Sequence, residues 1–362
     1  MTDSWTMRPY REGDEKSIIE LYESVFNIEM PLAKWVWRYL ENGIDLKLIM
    51  LAEAAAGNII GQYALCPVRM KVDGNELVGS FSLDTMVHPD WGGRGVFVEL
   101  ANAVYRAAAE HGIPLTYGFP NVNSHHGFVN RLEWMDLCKT LPILVKPIKM
   151  KRLIKSRFEN EGITRLLDSL ARAGYWLYRR GPSRKRSCGS YRVRRVEYFS
   201  GATDLLWERS NSIARVSVIR DAAYLNWRFA RNPTEEYCIL YAEHGGELAG
   251  YSVLKLVDDF GIRVGYVVDL LALPEDEAIV YALMETALDY FIAQDMDVAG
   301  CLMMRGLPYG KQLRNLGFLK VPTRLLPQDI YLGVRNNTGE FSDDLLRDSH
   351  NWNISWADHD RI

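Results

Sequence analysis

Apolar and polar residues follow two rhythms along this chain, and the switches between them divide it into strands and helices. Trp5–Tyr10 reads as extended. Asp14 stands where a helix cap is expected, and Ile18, Ile19, Leu21, Tyr22 and Val25 then recur at helical spacing as far as Phe26. Pro31 predicts the start of a second helix, PLAKWVWRYLENG, closed by Gly43. LIMLAEA, IIGQYALCPVRMKV and LVGSFSLDTMV change to strand patterning, and the turns AAGN and DGNE between them predict an antiparallel meander. A helix over 96–111 follows, then the short strand PLTYGF and a helical stretch near SHHGFVNRLEW.

The second half repeats this plan. RDAAYLNWRFARNP predicts an amphipathic helix ended by Pro233, and YCILYAE, LAGYSVLKLV and IRVGYVVDLLALP are separated by the turns HGGE and DDFG. A helix from about Asp276 to Ala293, the strand DVAGCLMM and the helical GKQLRNLGF complete it. SLDTMVHPDW and VVDLLALPED share one pattern, with Asp84 or Asp269 before an apolar run and Pro89 or Pro274 after it. An internal duplication follows: two copies of one α/β unit, expected over 1–148 and 191–335. Between them, Lys149–Arg195 carries 15 Lys or Arg against three Glu or Asp, so 149–190 reads as a basic helical linker. Residues 336–362 form an acidic, aromatic tail expected to pack on the surface.

The stretch HPDWGGRGVF joins the last strand of the first meander to the helix over 96–111, and places three glycines and an arginine within a few residues. Helix-terminal N–H groups are unpaired and partly positive, and glycines let bare backbone approach an anion closely. Such a loop is either a tight turn or a phosphate cradle. The strand, loop and helix at 83–111, with FPN at 119–121 and NRLEWM after it, resemble the acetyl-coenzyme A site of the GNAT (GCN5-related) N-acyltransferases. In the match WGGRGVF, Gly95 takes the central glycine, Gly92 replaces the usual Arg or Gln, and Phe97 replaces the last Gly or Ala. The second copy keeps the family's Leu-Gly-aromatic ending as Leu316, Gly317 and Phe318.

The resemblance implies an α/β (α+β) fold of two tandem GNAT-like domains, each a mixed, mostly antiparallel sheet flanked by helices. It implies that Gly92, Gly93, Arg94, Gly95, Val96 and Phe97 hold the pyrophosphate of acetyl-CoA or another acyl-CoA, with Arg94 supplying the missing positive charge. A backbone N–H of Met86 or Val87 is then the oxyanion donor, and Asn121 bonds the cofactor or merely makes the turn after Pro120. The second copy has Pro274, Glu275, Asp276 and Glu277 in place of the glycines, and carboxylates repel a pyrophosphate, so only the first copy is expected to bind coenzyme A.

Acyl transfer needs a neutral amine, an oxyanion donor and a proton for the thiolate. The usual GNAT tyrosine is absent, because Val129 follows Phe128. Asp84 is a candidate base or amine-orienting group, or else a salt-bridged strand carboxylate. His125 and His126 lie near the expected thioester with imidazoles suited to proton transfer, or are simply solvated. Arg228 shares a helix face with Tyr224 and Trp227 and either reaches an acidic group of the acceptor or forms a structural ion pair.

Composition adds bounds. The 362 residues are 48% hydrophobic and 25% charged with a net charge of −3, an ordinary globular balance. No signal peptide or membrane span is apparent, and five well-separated cysteines without a CxxC pair suggest a reduced, cytoplasmic protein with no metal site. The expected function is acyl-CoA-dependent acylation, with acetyl the leading acyl group, of a primary amine on a small molecule, an amino sugar or nucleotide-linked amino sugar. The competing readings are a tRNA-dependent aminoacyl transferase of the cell-wall type, for which the basic segment 149–195 could contact RNA, and a catalytically degenerate binding module. Nothing in the sequence specifies an oligomeric state.

Overall fold

The computed structural model describes residues 4–149, 191–259, 261–322 and 330–359. The helical linker expected over 149–190 therefore lies almost wholly outside the described residues. In the first half, β1 (Trp5–Pro9) leads to α1 (Glu15–Phe26) and α2 (Leu32–Tyr39), then to β2 (Leu48–Ala54), β3 (Ile59–Val72) and β4 (Asn75–Val87). The β3–β4 hairpin turns at Asp73 and Gly74, which both have positive φ, as a tight two-residue hairpin turn requires. α3 (Val96–Glu110), β5 (Leu115–Gly118), α4 (Val122–Arg131), β6 (Met135–Cys138) and β7 (Ile143–Pro147) follow. α2 stops at Tyr39, one turn short of the expected end at Gly43.

The second half contains β8 (Arg192–Val196), a helix over Ala202–Ser210, β9 (Val216–Val218), β10 (Cys238–His244), β11 (Glu247–Asp259), β12 (Ile262–Ala272), a helix over Glu277–Ala293, and β13 (Val298–Leu302). A short helix over Gly310–Asn315, β14 (Leu319–Lys320), β15 (Leu332–Asn336) and β16 (Trp352–Asn353) complete it. The helix expected over RDAAYLNWRFARNP is one α turn, Ala222–Leu225, that widens into a π-helical turn, Asn226–Ala230.

The duplication is legible in the strand order. One sheet runs β1-β2-β3-β4-β5-β15-β6, the other β8-β10-β11-β12-β13-β7-β14. Along these paths, the two parallel pairs, β4 with β5 and β12 with β13, occupy equivalent places. The position next to last in each path is filled by a strand from the other half: β15 sits between β5 and β6, and β7 between β13 and β14. The sheets thus do not follow the divisions at 148 and 335, because each half completes its partner's hydrogen-bond ladder. β9 and β16 extend the first sheet from the far end of β3.

Helices cover both faces of the first sheet. Tyr63 and Leu65 of β3 pack under α3 and α4, while Ala64 and Cys66 point to the face covered by α1 and α2. The duplicated helices meet at the junction of the halves. Trp37 of α2 and Trp227 stack with centroids 5.0 Å apart, and each indole N–H donates to the other residue's carbonyl, at 2.8 and 2.9 Å. The Trp-Arg pairs 37–38 and 227–228 are equivalent positions of the two copies, so this contact is close to symmetric.

Candidate active site

β4 and β5 are hydrogen-bonded only as far as Ser82 and Gly118. Glycine suits that vertex, since a Cβ at 118 would come as close as 3.0 Å to the Trp134 ring and 3.2 Å to the Ser82 carbonyl. Beyond it β4 bends away through a bulge: Asp84 and Thr85 together oppose the single residue Tyr63 of β3. Asp84 takes φ 48°, a left-handed conformation that Asp tolerates better than most residues. The carbonyl freed by the bulge accepts the Gln62 amide N–H at 3.1 Å. The splayed strands open a cleft of about 420 Å³, with Asp84 and Thr85 on one wall, Phe119, Pro120 and Asn121 on the other, and Phe128 and Trp134 lining it as well.

The glycine loop and α3 continue from the end of β4. Gly93 and Gly95 have φ of 74° and 83°. Gly95 is the N-cap of α3, and no side chain caps it. The Gly95 carbonyl takes the N–H groups of Val98 and Glu99, leaving the amides of Gly95, Val96 and Phe97 without an acceptor among the described residues. Gly92 accommodates the turn in extended conformation, its own N–H donating to Pro89. Arg94 is exposed beside the loop, its guanidinium 4.9 Å from the Trp91 ring centroid. The half-buried Phe97 ring packs edge-on to Phe128 at 5.5 Å, while its backbone amide faces the loop.

At the end of β4, the His88 N–H donates to the Ile60 carbonyl of β3 at 2.8 Å. By the alternation of a strand, the Met86 N–H also turns toward β3, and the Val87 N–H turns to the edge that β5 leaves uncovered. Of the two oxyanion candidates, Val87 has the suitable direction.

Asp84 is the acidic side chain of the cleft. Its Oδ2 accepts from Arg38 Nη1 at 2.6 Å and from the Tyr39 hydroxyl at 2.7 Å, while Oδ1 has no partner among the described residues. This carboxylate is ion-paired, and it lines the cleft. Burial, with the Asp84 charge beside it, holds the Tyr39 phenol well above its ordinary range, so Tyr39 remains a donor. Lys34 lines the same cleft, and burial together with the Arg38 charge lowers its ammonium below the usual lysine value. Sequence reasoning missed Lys34, Arg38 and Tyr39. Their one signal was the polar break in PLAKWVWRYL, which reads equally well as the wet face of an amphipathic helix.

The histidines are placed differently. His125 Nε2 and Asp136 Oδ1 are 2.8 Å apart, and the His125 ring stacks on Tyr331 with centroids 3.8 Å apart. His126 is exposed on α4. Neither is among the residues lining the cleft, whereas their neighbours Asn121 and Ser124 are. The Asn121 side-chain oxygen caps α4, accepting the N–H groups of Asn123 and Ser124 at 3.0 Å each. Arg228 is buried and donates to the carbonyls of Ala357 and His359 at 2.9 Å each, so it holds the C-terminal segment against the junction of the halves.

Among the described residues, the equivalent place in the second copy is closed. At the equivalent place between β12 and β13 only about 10 Å³ remains, lined in part by Asn353 and Ser355. The C-terminal segment has filled it. Asp269, the counterpart of Asp84, is consumed by Arg220 at 3.1 Å, Tyr251 at 2.7 Å and Ser355 at 2.7 Å. The helix over Glu277–Ala293 has one of its first amides capped by the Asp276 side chain, which accepts the Ala278 N–H at 2.8 Å. The tail expected on the surface is thus partly a plug: Trp352, Ile354, Trp356 and Asp358 are buried. Among the described residues, no helix is long and apolar enough to cross a membrane, and no group of three or more acidic, His or Cys side chains could hold a metal.

Residues 6–135 match the acetyltransferase (GNAT) domain family. No curated protein matches the chain by sequence. Among solved structures, a probable N-acyltransferase from Enterococcus faecalis V583 superposes with a TM-score of 0.62 at 14% identity, covering 92% of this chain and 72% of that one. A GCN5-related N-acetyltransferase from Anabaena variabilis ATCC 29413 gives 0.60 at 11% identity, with 92% and 73% covered. Saccharomyces cerevisiae N-myristoyltransferase with bound myristoyl-CoA gives 0.59 at 12% identity, with 93% and 83% covered. At these identities the likeness is one of fold, and it extends over both halves.

Proposed function

Residues 6–135 belong to the acetyltransferase (GNAT) domain family, and on that premise we propose that the chain transfers an acyl group, acetyl in the simplest case, from coenzyme A to a primary amine of a small molecule. The observation that carries this reading is the contrast between the copies. The first has an open cleft and an uncapped helix end, and the second has both closed by its own chain.

The pyrophosphate would lie on the amides of Gly95, Val96 and Phe97, with Gly93 shaping the turn and Arg94 adding charge at the rim. The pantetheine arm would continue between β4 and β5, as a short strand filling the gap that opens beyond Ser82 and Gly118. This brings the thioester to the bulge. When the amine attacks, negative charge develops on the carbonyl oxygen, and the Val87 N–H is the donor directed there. Asp84 Oδ1 would accept an N–H of the amine, with Arg38 and Tyr39 fixing the carboxylate from behind. The amine proton leaves through this carboxylate or ordered water, and the thiolate departs.

For the acceptor, the aromatic residues and mixed charges at the junction of the halves suit an amino sugar or a nucleotide-linked amino sugar. Supply of an aminoacyl-tRNA donor remains the second reading, because the first half of the basic run lies close in sequence to β7; the open pyrophosphate loop favours coenzyme A over it. The test is release of coenzyme A thiol from acetyl-CoA in the presence of a panel of amino sugars and simple amines. Amine-dependent release supports the proposal. Acetyl-CoA binding without turnover on any amine would favour a non-catalytic binding module.

A further inference from the structure

Among the described residues, the charged side chains lining the cleft are Lys34, Arg38 and Asp84. Arg38 and Asp84 pair at 2.6 Å, which leaves the Lys34 ammonium as the net charge of the wall. His359 lines the cleft too, and an imidazole can only add to that positive charge. The carboxylate nearest Lys34 is Glu235 of the second half, 3.5 Å away. Glu235 is held more closely by Lys255, at 2.9 Å, and the Lys255 side chain is 10% exposed against 25% for Lys34. Two ammonium groups thus share one carboxylate, and Lys34 is the more loosely held. Glu235 and Lys255 do not line the cleft, whereas Lys34 does. A cavity of about 50 Å³, lined by both Lys34 and Glu235, adjoins the cleft and leaves the long lysine side chain room to turn.

Burial and the Arg38 charge both disfavour the Lys34 ammonium, so an anion arriving from the cleft would relieve a position that Glu235 compensates only in part. The duplicated copy supplies a contrast. Trp37 and Arg38 correspond to Trp227 and Arg228, so the counterpart of Lys34 is Tyr224, a phenol that burial keeps neutral. The ammonium therefore belongs to the copy whose cleft is open. Lys34 stands one helical turn before Arg38 on α2, roughly 6 Å along the axis, and Arg38 holds Asp84. An amine seated on Asp84 and an anion seated on Lys34 are thus several bonds apart, which is the reach of a sugar ring. Phe81 and Phe119 line the same cleft and give the carbon frame between the two charges apolar walls to rest on.

We propose that Lys34 is a specificity-determining residue of the acceptor site, and that the acceptor is an amino sugar carrying an anionic group, phosphoryl or carboxylate, which Lys34 holds while the amine rests on Asp84. This rests on the acyl-transfer reading in taking the cleft as the place where the amine reacts. Glu235 and Lys255 keep the ammonium in place when the cleft is empty, which gives the second half a part in choosing the acceptor.

The experiment is calorimetric titration of D-glucosamine, D-glucosamine 6-phosphate and 2-amino-2-deoxy-D-glucuronic acid into wild type, Lys34→Met and Lys34→Arg. Lys34→Met leaves Glu235 its closer partner, Lys255, so the fold holds. An anionic sugar should bind wild type about tenfold to hundredfold more tightly than glucosamine, the worth of one charge-assisted hydrogen bond. The tighter of the two anionic sugars identifies the group that Lys34 holds. The preference should vanish in Lys34→Met and persist in Lys34→Arg, which keeps the charge. Equal binding of all the sugars by wild type would overturn the proposal, as would no binding of either anionic sugar. So would a preference that survives in Lys34→Met, or one lost as fully in Lys34→Arg. Acetyl-CoA titrated into wild type judges the acyl-transfer reading separately, because sugar binding needs no donor.

Discussion

Replacing Asp84 separates the structural and chemical duties of the carboxylate at the bulge. Asp84→Ala removes the carboxylate to which the buried Arg38 guanidinium, 8% exposed in its side chain, donates at 2.6 Å, and breaking a buried pair costs about 3–5 kcal/mol. The left-handed backbone at φ 48° adds about 1–2 kcal/mol for alanine. Against a total stability of about 5–15 kcal/mol for a typical fold, the alanine variant should be close to unfolding at room temperature. Asp84→Asn tolerates the same backbone and keeps an oxygen for Arg38 and Tyr39, so it should lose only about 1–2 kcal/mol. Urea denaturation followed by tryptophan fluorescence measures both. Near-equal, small losses in the two variants would refute the buried ion pair as the element that holds the bulge. Because the asparagine variant stays folded, its kinetics are interpretable: kcat should fall about 10²-fold or more while acetyl-CoA affinity holds. Unchanged kcat would confine Asp84 to architecture.

Two further predictions concern the second copy and its plug. Arg220→Met leaves Asp269 and Asp358 buried side by side without their cation, and should cost about 3–5 kcal/mol in chemical denaturation; a loss under 1 kcal/mol would mean that the C-terminal segment is not locked there. Lys146 on β7 donates to the Leu316 carbonyl, and burial lowers its ammonium to about 8. Its folded value lies below its unfolded one, so the unfolded chain holds the extra proton between about pH 8 and 10.5, and wild-type stability should gain on that of Lys146→Met as pH rises through this window. Parallel pH–stability curves for the two proteins would refute the assignment.

Local features were legible in the sequence because local chemistry decides them. The hairpin turns, the glycine loop before α3 and the matching patterns around Asp84 and Asp269 each depend on a few neighbouring residues. Long-range partnerships were not. β15 pairs with β5 across more than two hundred residues, and nothing in LGVRN says which sheet it completes. Arg38 meets Asp84, and the C-terminal segment meets Asp269, through packing that sequence spacing does not encode. The pair His125 and His126 shows the converse. They fall within the helical stretch expected near SHHGFVNRLEW, where helix geometry turns His125 toward Asp136 and Tyr331 and leaves His126 exposed. Phe97 likewise stands at a motif position whose side chain serves the core and whose amide serves the loop.

The most direct test of the account is isothermal titration of acetyl-CoA into wild type and Gly95→Asp. The aspartate would place a carboxylate at the open end of α3 on a backbone with φ 83°, opposing the pyrophosphate both sterically and electrostatically. The account predicts one site per chain in wild type, since the second copy is plugged, and binding weakened at least a hundredfold in the variant. Two sites per chain, or equal binding by both proteins, would contradict it.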